Sequence, residues 1–356
     1  MDLSWYKGKR IFVTGHTGFK GSYLCKVLIN AGAKVSGYSL NPPTEPSVYK
    51  LCEIEKSMNS VIGDIRDFES LKKAFDEANP EIVFHLAAQP LVIDSYKKPA
   101  YTYETNVMGT VNILECVRAH ADTVKSVLNV TTDKVYFNDE RGEGFSEDLP
   151  LDGFDPYSNS KSCSELVTHS YKRSFLDEAG VAVSTARAGN VIGGGDFAEN
   201  RIIPDCVRAA KKGEIIGIRN PYSIRPYQHV LDPIFAYLMI AAKQYEDIGF
   251  ADYYNVGPDD LDCVSTGQLA DIFCKYYEGI KWENKSVEGP HEANFLKLDC
   301  RKLKKTFGWQ PVWNIDRAIE KTVEFSKAWI ANQDVNEIID KQILEFMNDI
   351  SVIKCK

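Results

Sequence analysis

The sequence predicts an α/β protein with a doubly wound parallel sheet and a smaller, discontinuous C-terminal domain. In the first half of the chain, short apolar runs alternate with longer stretches of helical spacing. The short runs are apolar on both faces, which is typical of strands in a parallel sheet that helices cover on both sides. Right-handed crossovers between such strands give the doubly wound arrangement.

Strand and helix candidates alternate regularly up to Ala188. The predicted strands lie in RIFVTG, AKVSGYSL, NSVIGD, EIVFHLAA, VKSVLNVTT and VAVSTARAG. The predicted helices lie in KGSYLCKVLINAG, DFESLKKAFDEANP, about 101–120, and SNSKSCSELVTHSYKRSFLDEAG. This alternation places the strands in one sheet with the helices packed against it.

After Gly189 the alternation stops. The Gly-rich segment NVIGGGDFAENRIIPD leads into a predicted helix, and the polar, aromatic segment IRNPYSIRPYQHVLD is predicted to be extended. Helical spacing resumes over 233–245, DYYNVG is predicted to add a further strand to the main sheet, and the tail NEIIDKQILEFMNDI is predicted to be helical. We therefore expect a first domain of residues 1–188 plus about 232–256, and a second domain of about 189–231 plus 257–356.

The composition excludes some classes of function. The 356 residues are 44% apolar and 26% charged, which are ordinary values for a soluble protein with a sizeable core. The net charge of −8 and the lack of a basic tract argue against nucleic-acid binding. No apolar run reaches the length of a membrane span, and MDLSWYKGKR lacks an apolar signal core. We expect a cytoplasmic protein that binds neither nucleic acid nor membranes.

The cysteines and histidines give no metal signal. The nine cysteines are scattered singly, without a CxxC pair or a Cys/His group of zinc spacing. In a reducing cytoplasm they are expected to be small buried side chains. His85 and His229 are tempting as catalysts, but His85 lies inside an apolar run, which favours a structural role.

Three glycines follow the first predicted strand, in RIFVTGHTGFKGSYL. Gly15, Gly18 and Gly21 have the spacing GxxGxxG between a strand and a helix. Glycine permits a tight turn and lets backbone N–H groups approach a diphosphate, while the helix N-terminus adds free donors and a favourable dipole. In this position the pattern predicts a dinucleotide-binding, Rossmann-type first domain.

The choice between NAD and NADP stays open. An acidic residue after the second strand would bind the adenosine ribose, and an arginine would favour a 2′-phosphate. Ser39 stands there instead; it is a candidate for a ribose hydroxyl, and His16 and Lys20 are candidates for nearby positive charge. Asp64 and Ile65, in GDIRD after the third strand, fit either an adenine pocket or an ordinary polar strand end.

A second group of candidate residues follows the fifth strand. Thr132, Asp133 and Lys134 stand together where VKSVLNVTT ends, and Tyr157 and Lys161 lie four residues apart on one face of a predicted helix. A lysine and a positively charged nicotinamide near a tyrosine favour its phenolate, so that it acts as a base at moderate pH. These residues predict proton transfer beside a dinucleotide, although Lys134 also fits a solvated turn.

These motifs resemble those of the extended short-chain dehydrogenase/reductases that modify nucleotide sugars. The resemblance covers about the first two-thirds of the chain, and LDCRKL with FGWQP is similar to the family's C-terminal ending. The matching pieces are VTGHTGFKG, GDIRD, FHLAA, TNVMGTVNILE, TTDKVY, YSNSK, RAGNVIGGGD and RPYQHVLD.

Within the family, the chain resembles most the 4,6-dehydratases of CDP-sugars. The dTDP-sugar dehydratases carry Thr-Asp-Glu where this chain has Thr132, Asp133 and Lys134. One loop departs from the pattern, because FNDERGEGFSEDLP lacks the tryptophans usual there. This departure leaves the details of substrate recognition open.

The resemblance implies a mechanism. Tyr157 takes the proton of the sugar 4-hydroxyl while hydride passes from C4 to bound NAD, Lys161 lowers the tyrosine pKa and holds the ribose, and Thr132 bonds the 4-oxygen. Lys134 then removes the C5 proton, Asp133 protonates the departing C6 hydroxyl, and hydride returns to C6. This needs a protonated aspartic acid and a neutral lysine, which burial favours and their mutual attraction opposes.

The resemblance also implies which residues bind the cofactor and the substrate, and which helices join the subunits. It adds Phe19, Leu86, Ala87, Ala88 and Asn106 to the cofactor site. Arginine offers a planar fork of donors to a diphosphate; the implied nucleotide-sugar residues are Gln89, Asn190, Arg201, Arg225 and Arg301, while Arg201 and Arg219 fit surface charges equally well. Family members commonly form a homodimer or a dimer of dimers, here through helices near 101–120 and 157–178.

Three classes of function are compatible with these motifs. The first is a redox-neutral dehydratase of a CDP-sugar. The second is an epimerase, a 4-reductase or a 4-dehydrogenase of the same family, against which the Asp133–Lys134 pair argues. The third is a non-catalytic protein that senses a dinucleotide. Thr132, Tyr157 and Lys161 argue against it, because a sensor does not need a proton-transfer set.

Overall fold

The computed structural model describes residues 2–139, 142–285 and 296–354. Within them the strands are β1 (Arg10–Thr14), β2 (Lys34–Ser39), β3 (Asn59–Ile62), β4 (Ile82–His85), β5 (Ser126–Thr132), β6 (Ala182–Ala188), β7 (Val191–Ile192), β8 (Ile216–Ile218), β9 (Ile224–Pro226), β10 (Gln228–His229), β11 (Tyr253–Val256), β12 (Cys263–Ser265) and β13 (Trp282–Asn284).

The α-helices of the same residues are α1 (Phe19–Asn30), α2 (Val48–Leu51), α3 (Phe68–Ala78), α4 (Val92–Lys97), α5 (Pro99–Tyr103), α6 (Gly109–Ala119), α7 (Pro156–Tyr171), α8 (Ile202–Lys212), α9 (Leu231–Glu246), α10 (Thr266–Tyr276), α11 (Arg301–Phe307), α12 (Ile315–Ile330) and α13 (Val335–Lys354). Short 3₁₀ turns lie at Leu3–Tyr6, Ile54–Ser57, Asp133–Val135, Ile248–Phe250 and Asp260–Asp262.

A seven-stranded sheet forms the centre of the molecule. Its strand order is β3-β2-β1-β4-β5-β6-β11, and the neighbouring strands pair in parallel. The chain winds outward from β1 in one direction and from β4 in the other. Ligands of such sheets bind outside the carboxyl ends of the strands where the winding direction changes. The predicted doubly wound α/β fold is confirmed, including DYYNVG as an added strand.

Apolar side chains cover both faces of this sheet. On one face, α1 and α9 pack against it through Leu24, Leu28 and Leu238. On the other face, α3 and α6 pack through Phe75 and Ile113. These side chains are fully buried, and each such burial stabilises the fold by about 1.5–3 kcal/mol. The sequence patterns that predicted strands apolar on both faces arise from this double covering.

Three small sheets lie beyond the carboxyl ends of the main strands. β7 pairs with β10, β8 pairs with β13 in parallel, and β9 pairs with β12 in antiparallel fashion. A third core, formed by α8, α10 and α12, supports them through buried side chains such as Ile203, Phe273 and Ile319. Segments on both sides of β11 in the chain therefore combine around this smaller core.

The predicted helix over 101–120 has an interruption in its middle. The helical chain runs through α5, a π-helical turn at Glu104–Met108, and α6. π-Turns are rare and frequently occur at functional sites. Periodicity alone does not show such a turn, because one inserted residue leaves the overall pattern helical.

No helix among the described residues has the length and apolar character that crossing a membrane requires.

Candidate active site

The three glycines form a cradle between β1 and α1. A side chain at Gly15, which has φ +76°, would meet the Ala87 backbone nitrogen at 2.8 Å, and one at Gly21 would meet the Gly15 oxygen at 2.1 Å. At Gly18 a Cβ would meet protein only at 3.4 Å, and no side chain caps the N–H groups that begin α1. The turn therefore has no space for side chains at Gly15 and Gly21, and the uncapped N–H groups at the start of α1 are placed to bind a diphosphate.

The ribose side of this cradle carries hydroxyl groups and fewer charges than expected. Thr17 Oγ1 lies 2.9 Å from Ser39 Oγ and donates to the Leu40 carbonyl at 2.8 Å. His16 is fully buried, its Nε2 lies 2.8 Å from Ser60 Oγ, and burial lowers its pKa to about 4. The expectation that His16 supplies positive charge is therefore wrong, because the ring is neutral at physiological pH.

Two other candidates for the cofactor surface lie after β3. Asp64 accepts hydrogen bonds from the Arg66 guanidinium at 2.7–3.1 Å, which lowers the pKa of its carboxyl. Ile65 is buried beneath Gly109, where a Cβ would meet the Ile65 side chain at 2.7 Å. The loop is thus fixed against α6 and presents a short polar edge at the sheet end.

The loop after β4 is held by a threonine and an asparagine. The N–H groups of Leu86 and Ala87 donate to Thr14 Oγ1, at 3.1 and 3.2 Å. Farther along, past Ala88, the Gln89 N–H donates to Asn106 Oδ1 at 2.8 Å and Asn106 Nδ2 returns a bond to the Gln89 carbonyl at 3.1 Å. Asn106 belongs to the π-turn, so this turn aims its amide at the loop.

Tyr157 and Thr132 are hydrogen-bonded to each other and both line a cleft beyond the strand ends. Asp155 caps α7 by accepting the Tyr157 and Ser158 N–H groups, so Tyr157 lies at the first turn of the helix. Burial raises the pKa of Tyr157 to about 12, and a hydrogen bond with Thr132 opposes this rise.

Lys161 lies one helical turn below Tyr157. Its Nζ donates to the Val130 carbonyl at 3.1 Å, and burial lowers its pKa to about 7, with Lys20 adding to the effect. The effect of Lys161 and of a positively charged nicotinamide on the Tyr157 pKa stays a prediction. In the structure, burial raises this pKa, and the hydrogen bond with Thr132 and the Arg201 charge oppose the rise.

Asp133 and Lys134 form an ion pair in the short turn after β5. Asp133 Oδ1 accepts from Thr132 Oγ1 and from Lys134 Nζ, both at 2.9 Å. Within the part of the chain that the structure describes, Oδ2 accepts no hydrogen bond. The Lys134 side chain is 26% exposed and lines the cleft, whereas the Asp133 side chain is fully buried and does not line it.

The cleft has a volume of about 690 Å³ and a cationic wall. Its lining includes Phe19, Lys20 and Asn190 and three arginines, Arg201, Arg219 and Arg225. Arg201 pairs with Asp196 at 3.1 Å, and burial lowers the pKa of Lys20 to about 8, with the Arg201 charge adding to the effect.

Two predicted substrate residues lie elsewhere. Arg301 is 89% exposed, pairs with Asp299 and does not line the cleft. Gln89 is buried and bonds Thr102 and the Leu91 N–H, so it orders the loop after β4 and does not line the cleft. Among the residues that the structure describes, no group of three or more His, Cys, Asp or Glu is placed to hold a metal ion.

The family description GDP-mannose 4,6 dehydratase matches residues 12–322. The chain belongs to this dehydratase family, a branch of the extended short-chain dehydrogenase/reductases. CDP-glucose 4,6-dehydratase of Salmonella typhimurium is 45% identical over 355 residues, covering 98% of this chain and 99% of that protein. dTDP-glucose 4,6-dehydratase of Haemophilus influenzae is 27% identical, covering 88% of this chain and 97% of that protein. The predicted family is confirmed.

Solved structures of similar fold include dehydratases and epimerases. An epimerase of Methanothermobacter thermautotrophicus has a TM-score of 0.78 at 24% identity, covering 96% of each chain. A dTDP-glucose 4,6-dehydratase of Bacillus anthracis in complex with NAD has a TM-score of 0.74 at 21% identity, covering 90% of this chain and 97% of that one. These likenesses show that the fold is shared.

A buried ion pair beneath the candidate active site was not among the predicted residues. Glu165, one turn after Lys161 on α7, accepts hydrogen bonds from Thr131 at 2.5 Å, Thr185 at 2.7 Å and Arg187 at 2.9 Å. Its spacing of four from Lys161 is a sequence signal that it shares the same helix face. Its partner on β6 depends on sheet register, which spacing along the chain does not reveal.

The two histidines serve the framework. His85 Nδ1 lies 2.7 Å from Thr14 Oγ1, and burial lowers the pKa of His85 to about 3. His229 is also fully buried and packs against the Trp313 ring. Neither lines the cleft.

Proposed function

We propose that the protein is an NAD-dependent nucleotide-sugar 4,6-dehydratase that converts CDP-glucose to CDP-4-keto-6-deoxyglucose and water. The observation that carries the proposal is the Asp133–Lys134 pair beside Thr132 and Tyr157. Oxidation at a sugar hydroxyl needs one base, whereas elimination of water needs a second acid and base. The 45% identity to a CDP-glucose 4,6-dehydratase supports the same substrate.

The glycine cradle fits NAD. Gly18 and the free N–H groups of α1 would hold the diphosphate, and Ser39 with Thr17 would face the adenosine ribose. Asp64 and Ile65 would border the adenine, and Asn106 would order the loop that closes the nicotinamide side. Bound there, NAD would supply the acceptor for hydride from C4 of the sugar and the donor of hydride to C6.

In the first half-reaction, Tyr157 accepts the proton of the sugar 4-hydroxyl and Thr132 bonds the 4-oxygen. Because burial raises the Tyr157 pKa to about 12, the tyrosine needs positive charge close to it in order to act as a base. Lys161, at the base of the same helix face, would hold the nicotinamide ribose. Its pKa of about 7 places its charge change near neutral pH.

In the second half-reaction, Lys134 takes the proton from C5, which the new 4-ketone acidifies. The electron pair of the C5–H bond forms the C5–C6 double bond as the C6 hydroxyl leaves with a proton from Asp133. Because Asp133 is buried behind Lys134, its carboxyl has to turn toward the cleft to deliver this proton. As hydride adds back to C6, protonated Lys134 delivers a proton to C5. Tyr157 then releases its proton to solvent and Asp133 regains one, so that each group returns to its starting state.

Substrate recognition is proposed on the cationic wall. Arg225 and Arg201 would bind the diphosphate, since both line the cleft and arginine matches its geometry. Asn190 lies between this wall and Lys134.

The experiment is to incubate the purified protein and NAD with CDP-glucose, dTDP-glucose or GDP-mannose. We expect a 4-keto-6-deoxy product, lighter by one water, from CDP-glucose alone, with no net consumption of NAD. Steady reduction of added NAD without loss of water would indicate a 4-dehydrogenase instead. Isomerisation without loss of water would indicate an epimerase.

We also propose the setting of the reaction. The product class belongs to deoxysugar synthesis for lipopolysaccharide or capsule, and the unpaired thiols of the described cysteines are consistent with the cytoplasm.

Exposed apolar side chains on or beside α6 and α7, including Met108, Leu166 and Phe175, support a homodimer or dimer of dimers. Light scattering of the purified protein would measure its mass. We likewise propose two domains, the first formed by residues 1–188 plus about 232–256 and the second by about 189–231 plus 257–356.

A further inference from the structure

The Lys134 amino group has two acceptors in the structure. Its Nζ lies 2.9 Å from Asp133 Oδ1 and 3.2 Å from Asn190 Oδ1. Among the described residues these are its acceptors, and the side chain otherwise borders the cleft. Each acceptor engages one N–H group, because a lysine nitrogen carries three positions besides Cε.

We propose that Asn190 is a positioning residue that, together with Asp133, turns the lone pair of neutral Lys134 toward the cleft. In the neutral amine, two positions on Nζ carry N–H groups and the third carries the lone pair. When both N–H groups donate to Asp133 and Asn190, the lone pair takes the remaining direction. A base acts only when its lone pair points at the proton that it removes. This inference rests on the proposed function and deepens it.

The orientation of the Asn190 amide matters for this role. Its oxygen faces Nζ, which is the arrangement that leaves the lone pair free. With the amide reversed, Nδ2 would donate to the lysine lone pair and block it. Thus the same side chain could either prepare or disable the base, and the structure has the orientation that prepares it.

The backbone around Asn190 is rigid. The Gln228 N–H donates to the Asn190 carbonyl at 3.0 Å, and β7, which follows at once, pairs with β10. On the other side, a Cβ on Gly189 would meet Pro226 at 2.8 Å and Asp133 Oδ2 at 3.4 Å. Asn190 therefore reaches Lys134 from a fixed chain, as a positioning group must.

A purely substrate-binding Asn190 makes a different prediction. An amide that only contacts the diphosphate would strengthen binding of the whole substrate, so its loss would slow every step and weaken binding of CDP. An amide that orients Lys134 would affect removal of the C5 proton alone. The two half-reactions separate these roles, because the first uses Tyr157 and the second uses Lys134.

The test compares Asn190→Leu, which keeps the size but loses the acceptor, with Asn190→Gln, which keeps an uncharged amide oxygen on a side chain one methylene longer. Each variant is mixed with NAD and CDP-glucose in D₂O. Absorbance of reduced cofactor reports the first half-reaction, and deuterium entry at C5 reports the second. Asn336→Leu is the matched control, because Asn336 Oδ1 accepts from Lys26 Nζ at 2.7 Å far from the cleft.

We expect Asn190→Leu to slow C5 exchange about 10- to 100-fold relative to the first half-reaction. Asn190→Gln should recover part of the exchange, and Asn336→Leu should leave both signals unchanged. Equal slowing of both half-reactions with weaker CDP binding would overturn the positioning role, as would unchanged exchange in Asn190→Leu. Failure of the wild-type protein to exchange C5 at all would instead reject the proposed function.

Discussion

The ion pair between Glu165 and Arg187 should be among the most stabilising contacts beneath the active site. Both side chains are at most 1% exposed. Burial alone would raise the Glu165 pKa, but the Arg187 charge and the hydrogen bonds from His169, Arg187 and Thr131 lower it from 4.5 to about 2. This lowering corresponds to roughly 3 kcal/mol in favour of the ionised form.

Replacing Glu165 by glutamine keeps the shape and leaves Arg187 buried without its counter-charge. Breaking one partner of a buried pair costs about 3–5 kcal/mol, which agrees with the magnitude from the pKa. Since the folded pKa is depressed, the stabilisation is fully present above about pH 4.5 and is lost as the pH falls toward 2. The difference in the free energy of unfolding between wild type and Glu165→Gln should therefore shrink in acid.

Urea unfolding followed by tryptophan fluorescence would measure the difference. The control is Asp177→Asn, which removes the surface pair with Lys172 just beyond α7 and should cost less than about 1 kcal/mol. A loss for Glu165→Gln that is no larger than the loss for the control would refute the reasoning. So would an unchanged difference between wild type and variant on acidification toward pH 2.

Further predictions concern the site and the core. Lys134→Met should reduce exchange of the C5 proton with solvent by about 10²–10⁴-fold and spare the first half-reaction; full exchange would contradict its role as base. Tyr157→Phe should abolish reduction of bound NAD by the substrate, and normal turnover would reject the scheme. Gly21→Ala should abolish NAD binding measured by titration, because its Cβ would lie 2.1 Å from the Gly15 carbonyl oxygen and disrupt the turn. Gly18→Ala should keep the fold of the turn, because its Cβ would meet protein only at 3.4 Å. Asp232 is buried with its pKa raised from 3.8 to about 8, so its ionised form is disfavoured in the folded state. Asp232→Asn should gain stability relative to wild type by about 1.4 kcal/mol per pH unit between about pH 5 and pH 7, and a pH-independent difference would contradict this.

Local patterns were sufficient to predict the fold. Strands such as β4 and β5 are buried on both faces, so their apolar runs are continuous and the parallel sheet follows. The glycine turn was predictable for a similar reason: Gly15 and Gly21 have no space for a side chain. Both features leave a local pattern in the sequence, although the side chain that Gly15 excludes would meet Ala87 on the loop after β4.

The parts that sequence reasoning missed depend on distant packing. The neutral state of His16 depends on its burial beside Ser60, and burial also raises the pKa of Tyr157. The exposed position of Arg301 follows from its pairing with Asp299 at the start of α11. None of these effects has a periodic signature, so resemblance to a family could propose the residues but not their surroundings.

Internal hydride transfer is the central claim, and isotope tracing tests it most directly. CDP-glucose carrying deuterium at C4 is converted with the NAD-loaded protein, and the position of the label in the product is read by NMR. If one cofactor takes hydride from C4 and returns it to C6, the deuterium appears in the C6 methyl group. Deuterium found in free reduced cofactor, or retained at C4, would contradict the proposed dehydratase.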